Sequence, residues 1–178
     1  MNPANASHMN PADTSQQTPA PRSITRTIIL TGLLAGTLDG LSACVYYYAF
    51  SGSTHVENVF KFVASGALGK SALTGGTGVV IAGILFHYFF AFSFTIIFFL
   101  AYPKLPILAK NKYITAISYG LVVWCMMNLI VVPLSGTPKL PFHFSRALIN
   151  ALILMFAIGL PNSLIANATY GRHEQPTS

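Results

Sequence analysis

The spacing of its charges constrains this chain more than any other feature. Residues 71–103, 113–138 and 147–171 contain no Asp, Glu, Lys or Arg, and residues 27–56 contain only Asp39. Each of these four gaps exceeds the ~20 apolar residues that a helix needs to cross a bilayer core. A soluble domain is about 25% charged, whereas this chain is 8% charged and 53% hydrophobic. It lacks the polar surface that a water-soluble fold of its size requires. In lipid a helix satisfies its own backbone, whereas a barrel needs short strands of alternating polarity, and none occur here. The predicted fold is therefore all-α, an integral membrane four-helix bundle with the lipid bilayer as its first partner.

The spans are predicted at 27–50, 79–101, 113–132 and 147–168, within a transmembrane domain covering 27–170. Residues 1–26 are rich in Asn, Pro, Ser, Thr and Gln without apolar periodicity, as expected of a disordered tail, and 171–178 form a short polar tail. The tetrapeptide Met-Asn-Pro-Ala occurs at 1–4 and again at 9–12, which makes Met9 a candidate natural start. Orientation follows the cations near the span ends. Arg22, Arg26, Lys104, Lys110, Lys112 and Arg172 lie on one side, and Lys61, Lys70, Lys139 and Arg146 on the other. This bias puts both termini in the cytoplasm.

Between the first two spans, Val56, Val59, Phe60, Val63 and Ala67 recur at helical spacing, with Glu57, Asn58, Lys61 and Ser65 on the other face. This pattern predicts a short amphipathic helix in the outer interface, with Val56, Val59, Phe60 and Val63 as a docking face. Span three is expected to stop at Pro133. Tyr46–Tyr48, Tyr102 and Tyr113 suit interfacial belts.

The stretches Gly-Thr-Leu-Asp-Gly (36–40), Phe-Val-Ala-Ser-Gly-Ala-Leu-Gly (62–69), Leu-Phe-His-Tyr (85–88) and Trp-Cys-Met-Met-Asn-Leu-Ile-Val-Val-Pro-Leu-Ser (124–135) resemble those of a group of uncharacterised small bacterial inner-membrane proteins. The resemblance covers about 27–170 and implies four helices in a bacterial inner (plasma) membrane. It implies no activity.

Several motifs point to chemistry that their surroundings do not support. The run Ala64 to Ser71, ending Gly69-Lys70-Ser71, fits a relaxed phosphate-binding loop, but no strand precedes it and no acid stands ready for magnesium, so no nucleotide is expected. Leu41-Ser42-Ala43-Cys44 resembles a lipoprotein cleavage box, yet Asp39 interrupts the apolar run and the run continues beyond the box. Cys44 and Cys125 fit neither a disulfide framework nor a zinc site. The basic residues are scattered between apolar blocks despite a net charge of +6, which excludes a nucleic-acid surface. Only His87 is an embedded haem ligand candidate, and no paired carboxylates or activated nucleophile occur. Neither a cofactor nor a metal is expected, and the chain is read as non-enzymatic.

Gly32, Gly36 and Gly40 form two overlapping Gly-xxx-Gly units, a usual route to close helix packing in lipid. Asp39 carries the most information. An aspartate at the centre of a span costs ~2.5–3.5 kcal/mol on insertion scales, so it needs a partner, a wet cavity or a proton. At 1.5 Å per residue, Asp39 falls ~1 Å outward of the midplane, His87 ~4–5 Å, Asn128 ~7–8 Å and Asn150 ~11 Å. One polar group from each span is thus expected in a single outward-opening cluster. Asp39 would titrate, His87 would be its partner, and the two amides would hold water or solute. Pro161 is expected to kink span four near Ala157. Two functions fit these residues: a proton- or cation-linked small transporter, expected as a homo-oligomer because four helices enclose little volume, or an accessory subunit of a larger membrane complex.

Overall fold

The computed structural model describes residues 23–138, 141 and 143–170. Residues 1–22 of the tail expected at 1–26, the tail at 171–178, the second start at Met9, and Lys139 lie outside the described residues; Ile24, Thr25 and Arg26, expected in that tail, are instead helical. The fold is all-α. Four helices are long and apolar enough to cross a membrane, and no strand occurs among the described residues.

The first, α1, spans Ile24–Ser51 and ends at Gly52, whose φ of 66° places it in the left-handed region that favours glycine. A short helix α2, Glu57–Leu68, follows, and a 3-10 turn over Lys70–Thr74 leads into α3, Thr77–Ala101. After a short helical turn at Pro106–Lys110, Asn111 starts α4 (Lys112–Leu134) by accepting the backbone N–H groups of Tyr113 and Ile114 on its side-chain oxygen. The last helix, α5, spans Phe144–Tyr170. The helices start one to three residues earlier than predicted. Polar residues at a helix start keep helical geometry, and a charge-based boundary cannot register them.

Neither Pro133 nor Pro161 ends its helix. Pro133 was expected to stop span three, but α4 runs through it to Leu134. In both cases a π-helical stretch precedes the proline, over Met126–Val131 in α4 and Met155–Gly159 in α5. The residue just before each proline donates five residues back, Val132 to Met127 and Leu160 to Met155. Proline lacks the N–H for the usual bond and its ring crowds the carbonyl four residues back; a widened turn relieves both.

The helices pack in chain order, α1 on α3 and α4 on α5, with α5 also against α1 and α3. The closest approaches occur at three glycines. A Cβ on Gly83 would meet the Phe60 backbone of α2, one on Gly120 the Met155 backbone, and one on Gly159 the Ala116 carbonyl. At the end of the bundle near Tyr170, Phe98, Phe99, Tyr102 and Ala166 form a fully buried core. Tyr102 therefore belongs to this core and not to an interfacial belt. It stacks on Tyr170 with centroids 5.5 Å apart, and its hydroxyl accepts from Asn167 Nδ2 at 3.1 Å.

The helix predicted between the first two spans exists, but it docks on α3 and does not stand alone. Ala64 and Ser65 are its buried residues, the Phe60 backbone lies on Gly83, and the Gly136 amide donates to the Gly66 carbonyl at 2.9 Å. Val56 stands one residue before the helix, Val59 is half-buried, and Val63 lines an apolar groove between α2, α3 and α4.

Candidate functional site

The glycine stripe of α1 is where this helix meets α3. Gly32, Gly36 and Gly40 are all buried, facing Phe92, Tyr88 with Ala91, and His87 in turn. Aromatic side chains, not a second backbone, fill the space that the missing Cβ atoms leave. This contact is internal to the chain.

Asp39 stands beside that stripe, half-buried, between Gly36 and Gly40. His87 reaches across from α3. Its Nε2 donates to the Gly36 carbonyl oxygen at 2.8 Å, and the same nitrogen lies 3.2 Å from where a Cβ on Gly40 would be. The acceptor is a carbonyl, so Nε2 carries a proton and Nδ1 is the nitrogen left to gain or lose one. The Gly36 carbonyl that holds the imidazole lies three residues before Asp39, on the same turn of α1. Phe60 and Tyr88 meet the imidazole edge-on, at centroid distances of 6.2 and 5.6 Å, and hold the ring in place.

Thr37 and Ser42, the nearest hydroxyls in sequence, do not satisfy Asp39. Thr37 Oγ1 pairs with the Tyr88 hydroxyl at 2.9 Å, a second polar link between α1 and α3. Ser42 lines a cavity of about 330 Å³ with Leu38 and with Ile149, Ile153 and Phe156 of α5. Among the described residues the Asp39 carboxylate takes no hydrogen bond.

The fourfold polar cluster does not form. Asn128 is exposed on α4, and its Nδ2 donates to the Trp124 carbonyl oxygen at 3.0 Å, a bond within its own helix. The buried face of α4 runs through Ala116, Gly120 and Val123, and Asn128 lies off that line beyond the start of the π-helical stretch. Asn150 is half-buried on α5 and bonds neither Asp39 nor His87; the residues that α5 turns toward Leu38 and Ser42 are apolar. Depth alone placed the four groups in the same half of the bilayer, but helix rotation decides which of them meet. Pro161 lies after the π-helical turn of α5, a widening where a simple kink was expected.

A second polar layer carries no mark in the sequence. Thr31, Thr95, Asn162 and Ser163 are buried. The Ser163 hydroxyl donates to the Lys112 carbonyl at 2.6 Å, and the Tyr119 hydroxyl to the Phe94 carbonyl at 2.6 Å. Thr and Ser in apolar spans look like ordinary helix filler, and no pattern of spacing sets these apart. Gly83, Gly120 and Gly159 escape sequence reasoning similarly, since an isolated glycine carries no pattern.

No protein-family model matches this chain, and no curated protein or solved structure matches it either.

Proposed function

We propose that this chain is a non-enzymatic, multi-pass component of a bacterial inner membrane, with both termini in the cytoplasm, in which Asp39 and His87 form a proton-exchange site. The observation that carries this reading is the hydrogen bond from His87 Nε2 to the Gly36 carbonyl, which fixes the imidazole on the helical turn that bears Asp39. An unpaired carboxylate in a bilayer costs several kcal/mol and persists where it has work to do. A carboxylate and an imidazole whose Nδ1 takes no hydrogen bond among the described residues form a pair that can pass a proton. On this reading the protein is a small proton-linked transporter.

The test is proton flux into liposomes that hold the purified chain and a trapped pH-sensitive dye, driven by a potassium diffusion potential. Wild type should acidify the lumen, and Asp39→Asn should slow this at least tenfold while leaving thermal stability near wild type. Equal flux in the two proteins sinks the proposal.

The rival reading is an accessory or scaffolding subunit. It draws on the apolar groove of about 620 Å³ between α2, α3 and α4, which is lined by Phe62, Val63, Phe86, Phe89 and Met127 among others. Loss of stability, with no flux in either protein, favours that reading.

A further inference from the structure

We propose that α4 is the contact between two copies of this chain, and that Asn128 pairs with Asn128 of the second copy across a two-fold axis along the bilayer normal. The inference rests on the reading that the four helices cross a bilayer.

Of the four long helices α4 is the least enclosed: 11% of its most apolar stretch is buried, against 22–39% in the other three. Asn128 is exposed on it and lies six residues before Leu134, ~9 Å from the helix end at 1.5 Å per residue. A side chain as short as asparagine cannot reach the headgroups from that depth. Its Nδ2 already bonds the Trp124 carbonyl through one hydrogen. The other N–H and the Oδ1 have no partner among the described residues. Hydrocarbon supplies none, and a polar group left unsatisfied there is costly.

A second copy supplies what is missing. A carboxamide is both donor and acceptor, so two related by a two-fold axis satisfy each other reciprocally. Copies inserted in the same orientation run their α4 helices parallel, which brings Asn128 opposite itself. Ser118, Leu121 and Cys125 share one face at helical spacing in the turns just before the π-helical stretch that holds Asn128, and Leu121 is exposed. The small side chains at 118 and 125 permit the close approach that membrane helices need. An unlike helix would have to present a matching amide at that depth; an identical one does so by symmetry.

The experiment uses the full chain with Cys44→Ala and Cys125→Ala, reconstituted in liposomes with Leu121→Cys as a reporter and oxidised with copper phenanthroline. Disulfide-linked dimer should form several-fold faster than with Leu100→Cys, an exposed position on α3. Adding Asn128→Leu should cut the dimer yield about tenfold, the effect of two interhelical hydrogen bonds, and Asn128→Gln should retain most of it. Equal rates for the two reporters, or no effect of Asn128→Leu, overturn the proposal. So does cross-linking that appears only in native membranes and carries a different polypeptide. Release of the chain by alkaline carbonate overturns the membrane reading and this inference together. Asp39→Asn should leave the cross-link unchanged, so a failed proton site and a failed interface are told apart.

Discussion

His87 and Gly36 are joined across the α1–α3 contact, the imidazole Nε2 donating to the Gly36 carbonyl oxygen at 2.8 Å. Because that nitrogen is committed, neutral His87 has one tautomer, with its proton on Nε2. Nitrogen-15 NMR of His87-labelled protein in liposomes should show this single neutral form, and acidification should add a proton at Nδ1 without breaking the Gly36 contact. A mixture of tautomers at neutral pH would mean that the bond does not hold the ring.

The glycine stripe makes room for that bond. A Cβ on Gly40 would sit 3.2 Å from His87 Nε2, while one on Gly32 would press on the ring of Phe92. Side chains give way more readily than backbone, so the largest cost of alanine should fall elsewhere. Gly83→Ala, Gly120→Ala and Gly159→Ala each set a methyl group against a neighbouring backbone. Each should lose ~1–3 kcal/mol or more from overpacking. Gly78→Ala meets nothing within 4 Å and should be neutral or slightly stabilising. Thermal unfolding in detergent would rank the four, and a Gly83 variant as stable as the Gly78 variant would contradict the docking of α2 on α3.

The sequence announced the helices and left their rotation unstated. Charge-free runs fix the number and rough length of the spans, because only length and apolarity matter for crossing a bilayer. That His87 would reach α1 near Asp39 was legible, since an acid mid-span demands a partner and both were placed close to the midplane; the bond it makes is to the Gly36 carbonyl. Asn128 and Asn150 were placed in the same half of the bilayer, yet Asn128 is exposed and Asn150 bonds neither Asp39 nor His87. Period alone gives no handle on which face of a uniformly apolar helix turns inward. The π-helical stretches before Pro133 and Pro161 add to the difficulty, because each widened turn rotates the rest of its helix relative to an ideal one.

At the start of α2, outside the long helices, the Glu57 carboxyl is held below the ordinary glutamate range. Its own backbone N–H is the larger cause, and the His55 imidazole, with Nδ1 at 2.9 Å, adds to it. A carboxyl with a depressed folded-state value stabilises the fold above the unfolded value, ~4.3 for glutamate, and loses that contribution as pH falls through the lower one. The first turn of α2 should therefore open in acid, read as faster amide exchange at Val59 and Phe60 below pH ~4. Carbon-13 titration should give a low Glu57 midpoint that rises partway in His55→Ala. A midpoint at the ordinary value in wild type would dissolve the pair.

Removing a proline from an exposed helix interior normally gains stability, up to ~3 kcal/mol against alanine on propensity alone. Pro161→Ala should instead destabilise this protein. An N–H at position 161 invites the ordinary bond to the Ala157 carbonyl, which would tighten the turn that Leu160 now closes on Met155. Asn162, fully buried, uses its Nδ2 to bond the Ile158 carbonyl at 2.8 Å, so the widened turn is met by a side chain suited to it. Tightening would rotate Gly159 off the Ala116 backbone and bring a bulkier neighbour into the place where only glycine fits. A loss of ~1–3 kcal/mol is expected from the repacking, measured as a lower thermal midpoint in detergent. A higher midpoint would mean that the π-helical turn is a strain imposed by the proline and that α5 packs as well without it.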